Sequence, residues 1–189
     1  MNTANKLTMM RIFLIPVFLI VLYLEFPFHM WIALAVFVLA SVTDFIDGYV
    51  ARNYNQITDF GKFMDPLADK VLVMAAMLWF VEAGRMPAWA LLIVVVREFA
   101  VTALRLVAVE GGRVIAAGWS GKVKTASTMV CIVIMLALSL AALDWVCVAV
   151  ILVTTVYSGI EYFVKNRDVI NWSDISCWIF HRLFRPTSP

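Results

Sequence analysis

Six apolar runs follow one another along this chain, each close to the length needed to cross a bilayer, and little sequence lies between them. A membrane-spanning helix needs about 20 predominantly apolar residues. The runs fall at Thr8–Glu25, Trp31–Arg52, Gly61–Val81, Pro87–Glu110, Thr125–Ala142 and Trp145–Val164. Of the 189 residues, 63% are hydrophobic and 15% charged, where soluble domains carry about 25% charged residues. Mean hydropathy is +0.92. A soluble domain of this size has too little interior for that much apolar surface. The same figures exclude a disordered chain and a secreted disulfide scaffold. The sequence predicts an all-α integral membrane protein, a six-transmembrane-helix bundle over residues 1–165, with a tail over 166–189. Neither repeats nor low-complexity stretches divide it.

The placement of charge orients the bundle. Lys6 and Arg11, then Arg52 and Lys62, then Arg105, Arg113, Lys122 and Lys124, then Lys165, Arg167, Arg182 and Arg185 fall on alternate connections and at the carboxyl end. The opposite side carries only Arg85. The positive-inside rule places both termini in the cytoplasm. Trp31, Trp79, Trp89, Trp119 and Trp145 lie near run ends, as interfacial anchors do. The first run follows basic residues as a signal peptide would, but no small-residue cleavage site follows it, so it is read as a retained span. Beyond Asn166 the tail holds Trp172, Trp178, Phe180, His181 and Phe184, a composition that suits either a helix lying on the cytoplasmic face or a frayed end. Cys131, Cys147 and Cys177 have no metal-site spacing and read as small apolar residues. The net charge of +2 gives no reason to expect a nucleic-acid partner.

The chemistry lies in Asp44-Phe-Ile-Asp47-Gly48-Tyr-Val-Ala51-Arg52 and, after eight residues, Gly61-Lys-Phe-Met-Asp65-Pro-Leu-Ala-Asp69. On a helix, Asp44, Asp47, Gly48 and Ala51 fall within an arc of about 100°. Gly61, Asp65 and Asp69 share a face of the next helix at i, i+4, i+8. With a polar turn over Asn53–Phe60, two antiparallel helices present four carboxylates to one cavity near the cytoplasmic surface. Each Asp within a span costs about 2.5–3.5 kcal/mol to insert, and four together repel one another, so they call for cations. Oxygen ligands without His or Cys favour Mg²⁺, Mn²⁺ or Ca²⁺ over zinc. Two such ions suit displacement at phosphorus, with one carboxylate as general base. Intramembrane carboxylates also serve proton relays and transporter ion paths, and Gly48 with Ala51 also suits helix packing.

The pattern D-x₂-D-G-x₂-A-R-x₈-G-x₃-D-x₃-D resembles the signature of the CDP-alcohol phosphotransferases, and every fixed position is matched: Asp44, Asp47, Gly48, Ala51, Arg52, Gly61, Asp65 and Asp69. A chance match at all eight anywhere in the chain has a probability on the order of 10⁻⁸, at roughly one in twenty per position. The resemblance covers about residues 3 to 165. It implies that Asp44, Asp47 and Asp65 are metal ligands for two divalent cations, Mg²⁺ or Mn²⁺. Asp69 would be a further ligand or the catalytic base. Gly48, Ala51, Arg52 and Gly61 would border the CDP moiety, and a homodimer would be expected. Arg52 is also accounted for by topology alone.

The acceptor has to be read elsewhere. Arg97 lies about 15 Å into a helix starting near Pro87, close to the bilayer midplane. An arginine there faces a polar cavity or an acid such as Glu98. Arg105 sits eight residues on, about 80° around the helix. Gly121-Lys122-Val-Lys124-Thr125 opens the fifth run. Cations from two helices and backbone donors at a helix start make an anion site, although Lys122 and Lys124 alone would satisfy topology. Arg97-Glu-Phe, Thr102-Ala-Leu-Arg105, Gly121-Lys-Val-Lys-Thr125 and the opening Asn5-Lys-Leu-Thr8-Met-Met-Arg11 resemble the family branch that uses glycerol 3-phosphate. Ala4 stands where that branch usually has proline. The resemblance implies a membrane-lipid enzyme, active on the cytoplasmic side of the inner or plasma membrane. It would transfer the phosphatidyl group of CDP-diacylglycerol to sn-glycerol 3-phosphate. Inositol phosphate, phosphatidylglycerol or serine as acceptor, or a secondary transporter using the carboxylates as an ion site, are the other readings.

Overall fold

Long helices form where the sequence places uninterrupted apolar residues, because a backbone without water must satisfy its own hydrogen bonds. The computed structural model describes residues 3–24, 26–53, 59–113, 115–116 and 118–169, with side chains throughout these except 3–8, 44–53 and 59–66. Among the described residues six helices run α1 (Thr3–Tyr23), α2 (His29–Asn53), α3 (Asp59–Glu82), α4 (Ala88–Glu110), α5 (Trp119–Ala137) and α6 (Ala141–Lys165). A single 3₁₀ turn, Arg167–Val169, follows. No strand occurs among the described residues. Helices α5 and α6 are each long and apolar enough to cross a membrane, and α1 and α2 contain the apolar stretches Met9–Tyr23 and His29–Thr43. The remaining tail, with Cys177 and His181, lies outside the described residues.

Helix α1 packs on α2 and α3, α5 on α6 and α2, and α4 on α6 and α3. Phe18, Phe37, Leu72, Met77, Phe80, Ile132, Met135 and Ile151 are buried at their shared centre. Cys131 and Cys147 are buried there as free thiols, filling the small-residue role expected of them. Large apolar side chains also point outward: Phe13, Leu92, Phe99 and Val153 are all more than 60% exposed. A surface of that kind belongs against lipid rather than water. Trp31, Trp89, Trp119 and Trp145 are exposed near helix N-termini, where interfacial anchors stand.

Helix α5 departs from the sequence expectation of Thr125–Ala142. It begins six residues earlier, at Trp119, and ends at Ala137. Ala141 and Ala142 belong to α6, which also starts before the expected Trp145. The break carries no glycine or proline; Leu138 and Leu140 are simply extended. A distant side chain satisfies the exposed carbonyls instead. Arg85 Nη2 donates to the Met135 and Leu138 carbonyl oxygens at 2.7 and 2.9 Å. The same guanidinium makes a two-pronged pair with Asp144, Nε to Oδ2 at 2.8 Å and Nη2 to Oδ1 at 2.7 Å. Arg85 is thus a structural clamp across the α5–α6 break. At the other end Arg11, read from sequence as a topological charge, is 1% exposed within the bundle.

Candidate active site

The motif helices meet as the spacing requires. Asp44, Asp47, Gly48, Ala51 and Arg52 lie in the last turns of α2, and Gly61, Asp65 and Asp69 in the first three turns of α3. The two helices pack against each other. The side chains of Asp44, Asp47, Ala51, Arg52 and Asp65, like residues 54–58, lie outside the described residues. Asp69 is the member of the quartet whose side chain is described, and it is partly buried. Among the described residues no group of three potential metal-ligating side chains gathers.

Asp69 opens onto a cavity of about 660 Å³ between α3, α4 and α5. Arg97, Arg105, Lys122 and Lys124, all predicted from sequence, line the same cavity. Residues 97, 98, 101, 102 and 105 reach it because they occupy one face of α4, an arc of about 140°. Lys70, Glu98, Thr102 and Thr128 also line it and were not singled out as site residues, although Glu98 was named as a partner for Arg97. Lys70 adjoins the carboxylate motif and Thr102 opens the quoted Thr102-Ala-Leu-Arg105 stretch, which is the signal that would have found them. Thr128 follows Lys124 by one helical turn. Five cations, Lys70, Arg97, Arg105, Lys122 and Lys124, face two carboxylates, Asp69 and Glu98, across this space.

Glu98 is the hub. Its Oε1 accepts from Lys124 Nζ at 2.6 Å and from Arg97 Nη1 at 2.9 Å. Lys70 Nζ lies 3.7 Å from Oε2 and donates to Thr102 Oγ1 at 2.7 Å. Arg97 Nη2 also donates to Ser158 Oγ at 3.1 Å. Both readings of Arg97 left open by the sequence therefore hold: it is ion-paired with Glu98, and it borders a polar cavity. Gly159 makes room for it, while Gly121 lies beside it at ordinary contact distance. A Cβ on Gly159 would lie 3.2 Å from Arg97 Cγ, and one on Gly121 would lie 3.9 Å from Nη2.

Arg105 and Lys122 are held differently. Arg105 Nε donates to the Tyr162 hydroxyl at 3.0 Å, with its guanidinium carbon 5.4 Å from that ring's centre. Lys122 Nζ stands 5.9 Å from the centre of the Trp119 ring. These partners are neutral, so no acid offsets either cation in these contacts. Lys122 and Lys124 lie inside α5 rather than at its opening. The Lys122 N–H already donates to the Gly118 carbonyl at 3.3 Å. Of the expected backbone donors, Gly121 is the one in the first turn.

The motif helices and the cation-lined cavity share one helical bundle, and sequence comparison gives its class. The chain belongs to the CDP-alcohol phosphatidyltransferase family, which it matches over residues 1–165. It is 39% identical over 191 residues to the CDP-diacylglycerol–glycerol-3-phosphate 3-phosphatidyltransferase of Bacillus subtilis (strain 168), covering 92% of this chain and 99% of that protein. A protein of the same name from Pseudomonas fluorescens is 40% identical over 154 residues, 77% of each chain. Another from Shigella flexneri is 36% identical over 179 residues, 88% of this chain and 95% of its own.

Proposed function

We propose that this chain transfers the phosphatidyl group of CDP-diacylglycerol to sn-glycerol 3-phosphate, giving phosphatidylglycerophosphate and CMP. The observation that carries the reading is the cavity in which Asp69 faces Arg97, Arg105, Lys122 and Lys124. An acceptor bearing a phosphate dianion matches an excess of cations on the cavity wall; serine lacks that group. The acceptor phosphate sits on the α4–α5 side, and the primary hydroxyl points toward α3. Asp69 takes the hydroxyl proton as a new oxygen–phosphorus bond forms at the β-phosphorus. The bond from that phosphorus to CMP breaks, and CMP leaves with the electron pair. Gly48, Ala51, Arg52 and Gly61 border the CDP moiety.

Asp44, Asp47, Asp65 and Asp69 would hold two divalent cations, Mg²⁺ or Mn²⁺. The fit rests on four oxygen donors carried by two packed helices without His or Cys among them, a donor set for hard cations. Bound there, such ions supply charge stabilisation to phosphate oxygens. Residues 1–165 form the six-span catalytic unit in the inner or plasma membrane, with both termini and the cavity mouth cytoplasmic. Residues 166–189 form a cytoplasmic tail. The active form is a homodimer. Of the small residues in or just after α3 that could line an interface or equally pack within one bundle, Ala75 and Ala76 pack inside the protomer, each at most 9% exposed, and Ala83 is exposed.

An acceptor panel tests the function. Purified protein with radiolabelled CDP-diacylglycerol should form lipid product and CMP in equal amounts with glycerol 3-phosphate. Inositol phosphate, phosphatidylglycerol and serine should support little or none. EDTA should abolish the reaction and Mg²⁺ or Mn²⁺ restore it. Preferential transfer to another acceptor, or turnover in metal-free buffer, would overturn the reading.

A further inference from the structure

Three of the five cavity cations share one carboxylate, and two do not. Lys124 and Arg97 donate to the same Glu98 oxygen, at 2.6 and 2.9 Å, while Lys70 approaches the other at 3.7 Å. These partners come from three helices: Lys70 from α3, Arg97 from α4 itself and Lys124 from α5. Lys124, Arg97 and Glu98 are largely withdrawn from solvent, with side-chain exposures of 6%, 13% and 15%, while Lys70 is 34% exposed. Arg105 and Lys122, by contrast, rest on the neutral rings of Tyr162 and Trp119.

We propose that Glu98 is a positioning residue for the transfer reaction. It holds Lys124, Arg97 and Lys70 as a fixed scaffold, and so leaves Arg105 and Lys122 as the cations that chiefly attract the acceptor phosphate. This rests on the phosphatidyl-transfer reading above and deepens it. Two consequences follow from the geometry. Lys70 adjoins Asp69 in sequence, so the Glu98 hub ties the helix bearing the reacting carboxylate to the two helices bearing the cations. A carboxylate within reach of the phosphate site also opposes anion binding. Glu98 therefore lowers the cavity's affinity for phosphate while fixing the geometry in which bound phosphate is useful.

The two consequences move different quantities when the charge is removed. Glu98→Gln keeps the shape and an acceptor oxygen for Lys124 but loses the charge. In the full-length protein in mild detergent, kcat should fall about tenfold or more, since misplacement of reacting groups by even 1 Å costs up to about 100-fold. Inorganic phosphate, used as the probe, should become a tighter competitor of glycerol 3-phosphate by several-fold, because a repelling charge has gone. A residue that merely held the fold together would lower activity without tightening phosphate. Glu98→Asp keeps the charge and serves as the second variant should the amide fail to fold. Its shorter carboxylate cannot span Lys124 and Lys70 together, so kcat should fall while phosphate inhibition stays within about twofold of wild type. Wild-type kcat in either variant, or weaker phosphate inhibition in Glu98→Gln, would overturn the proposal. Failure of the wild-type protein to use glycerol 3-phosphate would instead overturn the underlying reading, whatever the variants do.

Discussion

Arg97 shows how a single charged side chain can be fixed inside an apolar helical bundle. It lies at the tenth residue of α4, where an unpartnered guanidinium would be costly. The cost is offset by Glu98 on one side and the Ser158 hydroxyl on the other, and the space for it comes from Gly159. A methyl group at 159 would stand 3.2 Å from Arg97 Cγ, so the arginine must shift by a few tenths of an ångström. Gly159→Ala should therefore lower kcat/KM for glycerol 3-phosphate by roughly three- to tenfold, given that 1 Å of misplacement costs about 100-fold. It should not lower thermal stability, because alanine within a helix is favoured over glycine by roughly 0.5–1 kcal/mol. Steady-state kinetics beside a melting curve in detergent separates the two effects. Full activity with an unchanged melt would show that Arg97 needs no such room. The sequence showed Arg97 as an exceptional residue because a charge stood in an apolar run. It did not show Gly159, since a glycine in a span has many uses and its neighbour lies 62 positions away in the chain.

At the scale of the elements, carboxylates and apolar runs were legible and helix ends were not. The motif spacing put Asp44 and Asp47 near the end of α2 and Asp65 and Asp69 near the start of α3, and both helices carry them there. The end of α5 was misplaced by five residues because its determinant is non-local. The Met135 and Leu138 carbonyls are capped by Arg85, which comes from the turn after α3. That turn is itself set by Gly84, at φ +70°, a conformation glycine adopts readily. Arg85→Ala would leave Asp144, whose side chain is 7% exposed, without its charge partner and two carbonyls without their donor. Removal of one member of a buried ion pair typically costs about 3–5 kcal/mol. The variant should unfold at markedly lower temperature or denaturant. The kinetics of whatever protein remains folded should be near normal, because the clamp sits at the end of the bundle away from the cavity. A melt within about 1 °C of wild type would remove the clamp from the account.

On the proposed function, the whole molecule divides the reaction between two sets of helices. One wall of the cavity comes from α3, packed on α2 and carrying Asp69, and the others from α4 and α5 with their cations. This division was readable in outline, since acids cluster between residues 44 and 69 and bases between 97 and 124. What the linear order concealed is that Glu98 sits among the bases and joins the two sets through Lys70. The central claim is that donor chemistry and acceptor recognition occupy separate walls of one cavity, and Arg105 tests it most directly. Its guanidinium is positioned by Tyr162 rather than by an acid, so its loss exposes no unpaired carboxylate and should leave the fold intact. A charge-assisted hydrogen bond is worth roughly 1.5–3 kcal/mol, or about 10- to 150-fold in affinity. Two-substrate kinetics on Arg105→Ala should show the KM for glycerol 3-phosphate raised by that order, with the KM for CDP-diacylglycerol changed by less than about twofold. An unchanged acceptor KM together with a raised donor KM would contradict the division of the cavity and remove the main physical support for a phosphorylated acceptor.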